Sequence, residues 1–68
     1  MDGYAIVIFY SDEDECFVAD IPDLRYCSAF GETPQEALAE ALVAKDVWIE
    51  SARQNRDSIP PVVYRPAI

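Results

Sequence analysis

The sequence predicts an α+β fold in the order β-β-β-α, a three-stranded antiparallel sheet packed on one helix. Three observations carry this. A run of β-branched and aromatic residues, YAIVIFY, fills positions 4–10. Two shorter apolar runs, ECFVAD and YCSAFG, follow between turn residues. Then Thr33-Pro34-Gln35-Glu36 opens a stretch whose apolar residues recur at helical spacing.

Residues 4–10 read as the first strand, because β-branched and aromatic side chains favour a pleated, covered surface. Alternation puts Tyr4, Ile6, Ile8 and Tyr10 on one face and Ala5, Val7 and Phe9 on the other. Ser11-Asp12-Glu13-Asp14 is a charged turn, with side chains suited to bonding their own backbone. The short connection makes residues 15–20 an antiparallel second strand. Pro22 ends it, since proline cannot donate to a central ladder. Residues 26–31 form a third, shorter strand at an edge.

Thr33 is the N-cap of the helix, Pro34 its first residue, and Glu36 reaches back to complete a capping box. The helix is expected to run to about Arg53. Ala37, Leu38, Ala41, Leu42, Trp48, Ile49 and Ala52 form its buried stripe. Lys45 shares that stripe, its stem on the core edge and its ammonium in water. Val43 and Val47 project from nearly the opposite side, among Glu36, Glu40 and Glu50. They are either scattered surface valines or a small apolar patch rimmed by acids. After Asn55, three prolines hold the tail extended. There, Val62 to Tyr64 either adds a short edge strand or packs across a neighbouring subunit.

With 68 residues the chain makes one domain, 1–68. A domain this small buries only about 60% of its unfolded surface, which favours oligomerisation. One helix covers one face of a sheet, yet the first strand is apolar on both. Strands of that kind are covered on both sides. A homo-oligomer, dimer or tetramer, is therefore expected, with Tyr4, Ile6, Ile8, Val62 and Tyr64 as interface residues.

Thirteen acids against five bases give a net charge of −8. Such a surface repels phosphates, so no direct nucleic-acid binding is expected. The charge either keeps a small domain soluble or steers a basic partner to it. No apolar run approaches the roughly 20 residues of a membrane helix, and Met1-Asp2-Gly3 carries no basic leader. The expected compartment is the reducing cytoplasm, with Cys16 and Cys27 as free thiols. There is no histidine, which excludes Cys–His and Ser–His catalytic pairs. The acids at 12–15 lack the spacing of a calcium loop. No catalytic residue, metal or cofactor is expected, and the protein reads as a binding module and not an enzyme. A metal-dependent nuclease remnant built on the acids between Asp12 and Asp20 is the minor alternative.

One string of residues carries a resemblance. Phe17-Val18-Ala19-Asp20-Ile21-Pro22-Asp23-Leu24 leads to Cys27-Ser28-Ala29, then Phe30-Gly31-Glu32-Thr33 and Gln35-Glu36-Ala37-Leu38, with Trp48-Ile49 and Ile59-Pro60-Pro61 later. In order and spacing this resembles the HicB family of antitoxins, over almost the whole chain. The resemblance implies a partial ribonuclease-H-like fold. It also implies the neutralising half of a type II toxin–antitoxin pair, whose partner is a small basic HicA-type toxin that cleaves mRNA. The antitoxin would mask the toxin's active surface; an orphan oligomeric module without a toxin is the alternative. Many members carry a C-terminal DNA-binding domain, for which this sequence leaves no room. Two departures stand out. Arg25-Tyr26 replaces a Pro-Gly common among relatives, which predicts a differently turned loop. Glu15 stands near the place of a glycine in the acidic turn.

Two partner-binding surfaces follow. One is the segment Asp20 to Ser28, where Pro22, Asp23, Leu24 and Tyr26 form a protruding loop, with Leu24 and Tyr26 as affinity anchors. The same segment also reads as an ordinary turn between strands. The other surface is the outer helix face with Glu36, Glu40, Val43, Val47 and Glu50, where carboxylates would meet basic side chains.

Overall fold

A computed structural model describes residues 3–64. Its elements are β1 (Val7–Ser11), β2 (Cys16–Asp20), β3 (Ser28–Gly31) and α1 (Pro34–Gln54). The sheet is antiparallel in the order β1-β2-β3. This is the predicted β-β-β-α architecture. Arg65 and Pro66 of the tail lie outside the described residues.

The strands are shorter than the apolar runs, for a reason visible in the register. Val7 opposes Asp20, so Ala5 would oppose Pro22, which has no N–H to give. Pairing therefore starts at Val7 and not at Tyr4. The third strand begins at Ser28 because the residues before it close a loop. Ile21 N donates to Cys27 O at 3.0 Å, Leu24 N to Ile21 O at 3.0 Å, and Cys27 N to Leu24 O at 3.2 Å.

Directly opposed residues share a face. Ile8, Ala19 and Ala29 form one row, and Ala19 and Ala29 pack on Ala37 and Ala41 of α1. A second cluster of Ile21, Leu24 and Cys27 takes in Tyr4, Ile6, Trp48 and Ile49. The helix thus covers the face of Tyr4 and Ile6. That corrects the expectation that Tyr4, Ile6 and Ile8 look toward a neighbouring subunit: the open face is the one with Val7 and Phe9. Its central row is Phe9, Val18 and Phe30. Both phenylalanines are about half exposed, at 49% and 54%.

Small residues let the helix approach closely. A Cβ on Gly31 would lie 2.4 Å from Ala37 N and 2.8 Å from Glu36 C. The helix therefore sits over β3 and β2 more than over β1. This leaves Leu38 and Leu42 exposed, a correction to their place in the buried stripe. Ala37, Ala41 and Ala52 are buried as predicted, while Trp48 and Ile49 are half-buried.

Thr33 Oγ1 accepts from Glu36 N at 3.1 Å, and the Glu36 carboxylate accepts from Glu32 N at 2.8 Å. The far end closes with Arg56 N on Arg53 O and Asp57 N on Ala52 O. Arg56 has φ +58° there, the left-handed residue of a Schellman cap, a place glycine usually takes. Val62–Tyr64 forms no strand. Instead Val63 N and Tyr64 N both donate to the Asp23 carboxylate at 3.1 Å. Tyr4 Oη donates to Pro60 O.

Candidate protein-binding surface

Arg25 and Tyr26 carry the two features that define the site. Tyr26 has φ +60°, a conformation that costs a non-glycine residue about 1–2 kcal/mol. Its ring is 95% exposed. The loop nevertheless holds this shape. Three backbone bonds close it, and Trp48 Nε1 donates to Arg25 O at 2.9 Å. Tyr26 thus takes a backbone conformation that glycine adopts freely. Glu15 does the same in the acidic turn, with φ +54°.

Behind Tyr26 a cleft of about 750 Å³ runs between the loop and the second half of α1, with Val47, Trp48 and Ser51 on its helix wall. A second cleft, of about 690 Å³, continues it toward the start of α1, between Phe30 and Gly31 on one side and Glu36, Glu40 and Val43 on the other. Ser28 and Ala44 border both, so the two form one groove along β3, a free edge of the sheet. The first half is mostly apolar, with Val47 at 64% exposure. The second half is rimmed by Glu32, Glu36 and Glu40.

The two surfaces expected separately from the sequence therefore meet. Tyr26, Ser28, Glu36, Glu40, Val43 and Val47 all border the groove. Others do not. Leu24 is 1% exposed, inside the second core cluster. It cannot be an affinity anchor, because the folded-back loop buries it. Asp23 is occupied with the tail. Asp20 accepts from Ser28 Oγ at 2.8 Å across the strand pair. Pro22 is exposed but borders neither cleft. Glu50 borders neither cleft itself but lines an adjoining depression with Asp46 and Gln54, which shares Val47 and Ser51 with the first cleft. Trp48, read from the sequence as a core anchor, is both core and groove wall. Its indole sits on the helix side that turns toward the loop, which the stripe alone does not reveal.

In the acidic turn, Ser11 Oγ and Asp14 bond each other at 2.9 Å. Among the described residues no three of His, Cys, Asp and Glu are grouped to hold a metal ion. Cys16 and Cys27 are both free thiols. Burial, and then the charge of Asp20, pushes the Cys27 thiol above its ordinary pKa. No helix among the described residues is long and apolar enough to cross a membrane.

Fold and surface define a small α+β module with one continuous groove beside a free sheet edge. Its sequence is 44% identical over 58 residues to UPF0150 protein ssl0259 of Synechocystis sp. (strain ATCC 27184 / PCC 6803 / Kazusa), a match covering 85% of this chain and 78% of that protein. The chain belongs to the UPF0150 family. No family model and no solved structure matches it.

Proposed function

We propose that this protein is an antitoxin-like binding module of the HicB kind, which neutralises a small basic HicA-type mRNA-cleaving toxin by masking its active surface. One observation carries the reading: a fully exposed tyrosine, held in a strained and well-braced loop, at the mouth of an apolar groove with an acidic end. Strain kept in a rigid loop points to function. Exposed aromatic anchors set in packed surroundings dominate protein interfaces. In this reading Tyr26 and the Val47–Trp48 wall supply the affinity. Glu32, Glu36 and Glu40 steer and orient the basic partner through charge-assisted bonds to its Lys and Arg. The net charge of −8 agrees with such a partner and opposes direct RNA binding.

The test is protection of growth. The chain is co-expressed with a small basic HicA-type toxin. The wild type rescues growth and co-purifies with that protein. The double charge reversal Glu36→Lys/Glu40→Lys abolishes both. Full rescue by a folded double variant contradicts the groove as the binding site.

A further inference from the structure

The groove leaves the other side of the sheet unexplained. There Phe9, Val18 and Phe30 stand directly opposite one another across all three strands. Val18 is only 6% exposed between two phenylalanines that are about half exposed, and it belongs to neither core cluster. We propose that this open sheet face is the contact surface for a second copy of the chain, packed sheet against sheet.

Charge decides the occupant. The molecule carries −8, so two copies repel wherever their acidic surfaces meet. Among the residues that share the open face in the three strands, only Asp20 is charged, and its carboxylate is bonded by Ser28 Oγ. This is a face on which two such copies can meet without opposing rows of carboxylates. A basic partner gains nothing from its charge there, and it has the acidic end of the groove instead. Two sheets pack face to face at about 10 Å, with inner side chains interdigitating. A two-fold axis lying between the sheets along the strands, over Val18, would set each Phe9 against the partner's Phe30 and Val18 against its own copy, a self-complementary contact. The Tyr26 loop and the helix wall of the groove lie on the helix side and stay open in such a dimer, while Phe30 at the sheet edge borders both surfaces.

Salt separates this contact from the toxin-binding reading. Screening weakens repulsion between like-charged copies and weakens attraction to a basic protein, so the two associations move in opposite directions. Sedimentation equilibrium of the full chain is measured in about 50 mM and about 500 mM salt, a range that shortens the screening length severalfold. The wild type is expected to be a dimer that tightens with salt. Phe9→Glu and Val7→Glu, both on the open face and outside the groove, and checked for folding by circular dichroism, are expected to weaken it by at least about tenfold. Both variants are expected to keep partner binding. A wild type that stays monomeric at both salts overturns the proposal. So does a dimer that survives in both folded variants, or loss of partner binding in them, which would assign the face to the partner. Failure of the toxin reading alone leaves the salt-strengthened dimer in place.

Discussion

Trp48 Nε1 donates to the carbonyl of Arg25 at 2.9 Å, across 23 residues of sequence, and so fixes the Tyr26 loop to the helix. Both the rigidity of the loop and the shape of the groove depend on this bond. Trp48→Phe keeps most of the ring and removes the donor. It is expected to destabilise the fold by about 0.5–1.5 kcal/mol, the net worth of an ordinary hydrogen bond. Denaturant unfolding reads the loss. Amide exchange at Cys27 should quicken beyond what that global change explains.

Tyr26 and Glu15 form a natural pair of controls. Both hold positive φ without being glycine, and both are exposed. Tyr26→Gly and Glu15→Gly should each relieve about 1 kcal/mol of backbone strain, partly offset by the greater freedom glycine gives the unfolded chain. Thermal unfolding should show neither variant less stable by more than a few tenths of a kcal/mol, since glycine also takes this conformation freely. A marked loss in Tyr26→Gly would mean that the ring packs on the fold.

How much of this was legible in the sequence depends on distance. The hairpin, the broken second strand and the Thr33 cap are local, and turn chemistry and periodicity reveal them. Tyr26 and Val47 were also visible singly. Their convergence was not, because it depends on α1 sitting over β3, which the close approach of Gly31 to Ala37 permits. The same seating leaves Leu38 and Leu42 exposed although they lie on the apolar stripe. Leu24 misled for the opposite reason. Its neighbours Pro22 and Asp23 spell a surface turn, but the Ile21–Cys27 bond folds the loop inward. Which face of β1 the helix covers is likewise a question of layers, on which alternation alone is silent.

Asp23 accepts from both Val63 N and Tyr64 N. Asp23→Ala is expected to release the tail and cost about 1.5–3 kcal/mol, as bonds to a charged acceptor do. Limited proteolysis after Arg56 should become faster. Cleavage at the wild-type rate would show that the tail does not depend on this carboxylate.

Gly31→Ala places a methyl group 2.4 Å from Ala37 N, against backbone that cannot rotate away. The helix must shift, at a cost of about 1–3 kcal/mol. Since Gly31 borders the acidic half of the groove, partner binding should weaken as well. Chemical denaturation of the variant checks the first point.

The Cys27 thiol, raised by burial and by Asp20, should resist alkylation at neutral pH while the more exposed Cys16 reacts. The sign of the pH effect follows. A thiol that holds its proton more tightly when folded contributes stability that is fully present below the unfolded value and lost as pH rises through the folded one. Unfolding free energy should therefore decline above about pH 8.5. Cys27→Ala should remove that part of the decline.

The central claim is that an exposed, strained Tyr26 anchors a basic protein in the groove. Titration calorimetry of the purified small basic partner into wild type and Tyr26→Gly tests it most directly. The account predicts at least about tenfold weaker binding by the variant, with its folding intact. Equal affinity of the two proteins would contradict it.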